Sequence, residues 1–148
     1  MSFIFVNSKC YKMRLSDRLF RKKVEKLYPK IAEEVVQAPT LSDISIVPEL
    51  YRRFTEIVRP PSTKGSELYE FRAIFIGVAL KLFDPDYIGG YKKKVMDGLS
   101  DELSKLFGIE KSTCSWWMSQ VAGRIRIYKE MAEKVQEVFD LLEGSFND

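Results

Sequence analysis

The stretch that decides the fold spans residues 98–121 and reads GLSDELSKLFGIEKSTCSWWMSQV. In its first half, apolar residues recur with the spacing of one helix face, at Leu99, Leu103, Leu106 and Phe107. Gly108 then predicts a break, because a sharp turn after a helix commonly needs a left-handed residue, which glycine adopts without strain. The stretch therefore predicts a short helix that ends in a tight glycine turn.

A second helix is predicted directly after this turn, beginning at Glu110 or Ser112. Its inward positions follow helical spacing: Cys114, Trp117, Met118 and Val121. Ser104 is a small residue where the two helices would cross, and Ile109 would plug the turn. Two helices joined by so short a turn must approach closely, and this spacing is typical of a helix-turn-helix.

The second helix has a defined outer face, which carries Lys111, Ser112, Ser115, Trp116 and Ser119. In DNA-binding helix-turn-helix proteins this face enters the major groove. Serines can hydrogen-bond bases or phosphates, and a lysine can reach guanine or phosphate. Trp116 has three interpretations that stay open: contact with a thymine methyl or sugar, anchoring of a protein partner, or packing under the N-terminal arm.

Phosphate contacts dominate DNA affinity, so the positions of the cations matter more than the net charge of +3. Further candidate contacts are Arg124, Arg126, Lys92, Lys93 and Lys94. Residues 1–39 are net +5, while residues 108–148 are net −2. The basic N-terminal run indicates either a solvated helix face or a phosphate-binding surface, and its members are Arg14, Arg18, Arg21, Lys22, Lys23 and Lys26.

The composition excludes much enzymology, because the chain has no histidine and only two cysteines, Cys10 and Cys114. This removes the commonest general acid/base, the histidine-activated nucleophiles and a four-cysteine zinc site. An enzyme would need paired carboxylates such as Asp84 and Asp86, which flank a proline in a predicted turn. We therefore expect no catalytic residues, no metal and no cofactor.

The whole chain predicts an all-α helical bundle. A helix is predicted from Asp17, with an interruption at Pro29 and a continuation over residues 30–37. Another is predicted from Pro48 to about Val58, and a buried helix, capped by Ser66, follows the proline-rich linker of residues 59–65. This linker divides the chain into a basic helical region, 1–60, and a helix-turn-helix module, 61–148.

The last predicted helix, residues 125–142, has a regular apolar stripe: Tyr128, Met131, Val135, Val138 and Leu142. Core packing is one interpretation, and a short seam for a homodimer is the alternative. The most apolar stretch, Ala73 to Phe83, is too short to span a membrane, and the N-terminus lacks a signal-peptide core. We expect a soluble cytoplasmic protein with reduced cysteines.

Residues 66–130 resemble the helix-turn-helix domains grouped with the Trp repressor and with the DNA-binding domain of the bacterial chromosomal replication initiator. The segment Arg72-Ala-Ile-Phe-Ile lies on the long apolar helix. Residues 108–114 stand where the initiator family has Gly-Arg-Asp-His-Thr-Thr-Val, with matches at Gly108, Thr113 and the apolar Cys114. The resemblance implies fold and a general DNA-binding class. The expected partner is double-stranded DNA, in a regulatory, replication or mobile-element accessory role; the alternative is a protein-interaction module on the same fold.

Overall fold

The computed structural model describes residues 39–146, together with Lys23, Lys26 and Leu27. Every regular element in residues 39–146 is helical, which confirms the all-α prediction. A short 3-10 turn, Ile44–Ile46, precedes six helices that we number in chain order. Their bounds are α1 Val47–Ile57, α2 Ser66–Phe83, α3 Pro85–Ile88, α4 Leu99–Phe107, α5 Lys111–Ile127 and α6 Lys129–Phe146.

Helix α2 is the central element of the core, as its nearly continuous apolar sequence predicts. It packs against both α5 and α6. Gly77 allows this close approach, because a Cβ atom there would lie 2.8 Å from Cγ2 of Val135 and 3.2 Å from Cδ1 of Ile125. The three longest described helices therefore share one tightly packed centre.

Helix α1 belongs to the same core. It begins at Val47 with Pro48 in its first turn, where the missing backbone N–H costs nothing. Leu50 and Phe54 are fully buried, and the Phe54 ring lies 5.1 Å from the ring of Phe75 on α2. The linker of residues 59–65 thus joins two helices of one core. A domain boundary near residue 60 stays a prediction, since residues 1–38, three excepted, lie outside the described part.

Two sequence-based details of the helix ends are wrong. Ser66 is the first residue of α2 and makes no capping bond, because Gly65 occupies the cap position with a φ of 103°. The last helix does not run continuously through residues 125–142. Tyr128 separates α5 from α6 with extended backbone, φ −107° and ψ 116°, and its side chain is 59% exposed. The apolar periodicity crosses this break, so the break could not be read from the periodicity.

The rest of the predicted C-terminal stripe is buried within the chain. Met131, Val135, Val138 and Leu142 belong to the main hydrophobic core. This arrangement confirms the core-packing interpretation. The apolar seam on which the homodimer prediction rests is therefore already occupied by contacts within one chain.

The predicted helices over residues 17–37, with Arg14 and most of the basic run, lie outside the described residues; Lys23 and Lys26 are helical and exposed. Cys10 also lies outside. Within the described part, the longest apolar helix falls short of what a membrane span requires.

Candidate nucleic-acid interface

Helices α4 and α5 are joined by three residues, 108–110, and pack directly against each other. Gly108 has left-handed backbone, φ 66° and ψ 39°, as its position after a helix predicts. The carbonyl of Ser104 accepts hydrogen bonds from the N–H of Gly108 and, at 3.0 Å, from that of Ile109. The turn is thus closed by its own backbone, and α5 begins at Lys111, between the two predicted start points.

The predicted inner face of α5 is largely confirmed. Cys114, Met118 and Val121 are fully buried, and Trp117 is half-buried with its ring edge-on to Tyr69 of α2 at 5.4 Å. Burial raises the pKa of the Cys114 thiol to about 11. The thiol therefore stays protonated at neutral pH, and a protonated thiol is a poor nucleophile.

The predicted outer face of α5 is exposed along its whole N-terminal half. Five side chains share this exposure: Lys111, Ser112, Ser115, Trp116 and Ser119. Among the described elements, the helices that pack on α5 are α2, α3, α4 and α6, and none of them covers this face. The N-terminal half of α5 therefore presents hydroxyl groups, one lysine and one indole to solvent.

The two arginines of α5 are already engaged within the fold. Arg124 binds Glu70 of α2 through two contacts, Nη1 to Oε1 at 2.8 Å and Nη2 to Oε2 at 3.0 Å. The hydrogen bond to Glu70 raises the pKa of the Arg124 guanidinium. Arg126 donates from Nη1 to the carbonyl of Ile88 at 2.9 Å. Both side chains are half-buried and tie α5 to neighbouring helices.

Two of the predicted lysines also have acidic partners. Lys111 Nζ lies 3.2 Å from Oδ1 of Asp101 on α4, and both side chains are largely exposed. Lys92 Nζ lies 2.8 Å from Oδ2 of Asp84, which is almost fully buried. Exposed ion pairs contribute little to stability, so Lys111 can exchange its partner for another anion at small cost.

Lys93 and Lys94 differ from the other predicted cations. Both are exposed, and neither makes an ion pair or hydrogen bond with any residue that the structure describes. They lie in the segment between α3 and α4. Lys92 precedes the pair, and half-buried Val95 and Met96 follow it. These two adjacent ammonium groups are the freest of the predicted phosphate contacts.

Arg72 lies beside the end of α4, and no pattern in the sequence marks it as a contact residue. Its guanidinium carbon lies 5.1 Å from the centre of the Phe107 ring, at the end of α4. Its Nε atom is buried and has no hydrogen-bond partner within the described part of the chain. Only tertiary structure places Arg72 beside the Gly108 turn, because 35 residues separate it from Phe107 in sequence.

Two exposed apolar side chains and one glycine also lie along the outer side of α5. Trp116 and Ile127 are 57% and 53% exposed, and eleven residues place them on one helix face. Gly123 lies between them, and a Cβ atom there would meet only Nη2 of Arg126, at 3.9 Å. Packing among the described residues therefore does not require a glycine at position 123.

Comparisons of the chain with protein-family models, with curated proteins and with solved structures found no match.

Proposed function

We propose that this protein binds double-stranded DNA through a helix-turn-helix formed by α4 and α5, as a regulator or as an accessory factor in replication or mobile-element transfer. The observation that carries the proposal is the uncovered N-terminal half of α5 directly after the Gly108 turn. A helix presented in this way fits the major groove with its first turns against base edges. A cytoplasmic location is part of the proposal.

The roles of the predicted residues follow from their partners. Ser112, Ser115 and Ser119 supply hydroxyl groups that hydrogen-bond base edges or phosphates. Lys93 and Lys94 supply phosphate contacts, because they bring positive charge without a counterion among the described residues. Arg124 and Arg126 act mainly within the fold, since both are half-buried and already bonded. Lys111 can leave Asp101 for a phosphate.

The proposal is tested by Ser112→Glu, which adds a negative charge to the outer face of α5. A carboxylate in the first turn of a helix is favourable to the helix itself, so folding should be preserved or improved. Binding to a labelled random duplex, measured by fluorescence anisotropy, should weaken about tenfold because the carboxylate repels the phosphates.

The matched control is Ser66→Glu, which makes the same charge change in the first turn of α2. It should alter DNA affinity clearly less than Ser112→Glu does, because the exposed Ser66 lies on α2 and not on the outer face of α5, and salt screens an exposed charge. Equal weakening by both variants would show that only net charge matters and would contradict an interface on α5.

A second candidate function, protein interaction without DNA binding, is favoured by the strip of Trp116, Gly123 and Ile127. A mid-helix glycine costs about 1 kcal/mol relative to alanine, and no contact among the described residues offsets this cost. A partner helix seated on the strip would explain the glycine. Trp116→Ala should then dissociate a complex or oligomer in size-exclusion chromatography and leave any DNA affinity unchanged; loss of DNA affinity with an unchanged elution volume would favour DNA binding.

A further inference from the structure

Asp84 is a buried acid whose side chain contacts the segment between α3 and α4 instead of capping its own helix. It occupies the cap position of α3 before Pro85, where an aspartate commonly bonds the first turn of its own helix. Its carboxylate makes no such bond. Instead, Oδ2 accepts a hydrogen bond from the backbone N–H of Met96, twelve residues further on, at 2.8 Å. The same oxygen lies 2.8 Å from Nζ of Lys92.

These two contacts hold both ends of a short segment. Asp84 is only 5% exposed, and burying a carboxylate is unfavourable unless its partners compensate. Here the partners are the first lysine of the basic run and the backbone just beyond it. Between these two attachment points lie Lys93 and Lys94, whose side chains are exposed.

The fixed segment lies within reach of the start of α5. Lys94 precedes Asp101 by seven residues, a span of at most about 25 Å, and Asp101 is in contact with Lys111. One helical turn of duplex DNA is longer than this, at about 34 Å. By length alone, a single DNA segment can span the outer face of α5 and the two lysines.

We propose that Asp84 is a positioning residue, which fixes residues 92–96 so that Lys93 and Lys94 are held as a pair of phosphate contacts; this rests on the proposed DNA binding. A segment fixed before binding loses less conformational entropy when the phosphates arrive. Asp84 thus favours the binding of an anion although it carries a negative charge itself.

The proposal is testable because the positioning role and simple electrostatics predict opposite effects of removing the Asp84 charge on DNA affinity. Asp84→Ala and Asp97→Ala each remove one negative charge from the same region, and Asp97 is an exposed residue with no bonded partner among the described residues. Electrostatics alone predicts tighter DNA binding for both variants. The positioning role predicts that Asp84→Ala weakens binding of the full chain to random duplex DNA by roughly three- to tenfold, the cost of one or two phosphate contacts. Asp97→Ala should bind as tightly as the wild type or more tightly.

Asp84→Asn is the conservative variant, because its side-chain oxygen can still accept the Met96 N–H. It should retain wild-type affinity to within about twofold, and it should also fold if Asp84→Ala does not. Limited trypsin digestion below the melting temperature gives a second readout that needs no DNA. Cleavage after Lys92, Lys93 or Lys94 should accelerate at least about tenfold in Asp84→Ala and stay unchanged in Asp97→Ala.

The outcomes separate the two proposals. Wild-type protein that does not bind DNA would overturn both the proposed function and the role of Asp84 in binding, whatever the digestion shows. Wild-type binding together with Asp84→Ala affinity equal to or tighter than that of Asp97→Ala would overturn the positioning role alone. Equal digestion rates in the two alanine variants would show that Asp84 does not hold the segment.

Discussion

At the scale of single residues, Gly108 is the position on which the α4–α5 arrangement depends most. Its φ of 66° lies in the left-handed region, and a Cβ atom added there would meet nothing within 4 Å. The requirement for glycine is therefore purely conformational. The sequence could reveal it because helices very commonly end in a left-handed glycine directly after their last apolar turn.

Gly108→Val should destabilise the protein by at least about 1–2 kcal/mol, because a β-branched residue resists positive φ. The measurement is the free energy of unfolding from urea denaturation followed by circular dichroism. Gly108→Asn is the control, since asparagine tolerates left-handed backbone, and it should lose clearly less. Equal losses for the two variants would contradict the conformational role of Gly108.

The ion pairs that the predicted contact residues make could not be predicted from the sequence. Lys111, Arg124 and Lys92 all belong to the predicted contact set, yet each has an acidic partner. The partner of Arg124 is Glu70, 54 residues away. Such pairs depend on how helices pack, which local pattern does not encode. Lys93 and Lys94 are therefore the best candidates for phosphate contacts among the predicted cations, because neither has an acidic partner among the described residues.

At the scale of elements, apolar periodicity predicted helices wherever one face is buried. Helix α1 agrees with its predicted extent, Pro48 to about Val58, to within one residue at each end, and α4 spans the predicted apolar positions Leu99 to Phe107. The short helix α3 and the break at Tyr128 were missed. Helix α3 begins at Pro85, in a stretch that the sequence predicts as a turn, and no proline or glycine marks the change of backbone direction at Tyr128.

Gly77 carries the contact of α2 with α5 and α6, so Gly77→Ala should destabilise the protein. Alanine is the better helix former by about 1 kcal/mol, but its methyl group would lie 2.8 Å from Val135 Cγ2. Overpacking of this kind costs typically about 1–3 kcal/mol, and Val135 is stiff because it is β-branched. Urea denaturation should therefore show a net loss.

Gly123→Ala is the matched control for this prediction. The same substitution on the open side of α5 meets only Arg126 Nη2 at 3.9 Å and should stabilise the protein by up to about 1 kcal/mol. In addition, Val135→Ala should reduce the cost of Gly77→Ala in a double-mutant cycle. If Gly77→Ala stabilised the protein as much as Gly123→Ala, this would contradict the close packing of α2 against α5 and α6 at Gly77.

At the scale of the whole molecule, charge is arranged so that a near-neutral chain presents local positive sites. The net charge of +3 predicts little, and the C-terminal 41 residues are net −2. The proposed DNA binding therefore depends on local cations, and Lys93 and Lys94 are the predicted contacts that have no partner among the described residues. The number of phosphate contacts can be measured from the salt dependence of binding.

The most direct measurement is an anisotropy titration of a labelled random DNA duplex at several salt concentrations. Two phosphate contacts, from Lys93 and Lys94, contribute about −1.8 to the slope of log affinity against log salt, which by itself weakens binding roughly tenfold between 50 mM and 200 mM. We expect binding in the micromolar range at the lower salt, and a slope that is shallower by about 1.8 in the Lys93→Gln/Lys94→Gln variant. The absence of micromolar binding at 50 mM salt, or binding that salt does not weaken, would contradict the proposed function.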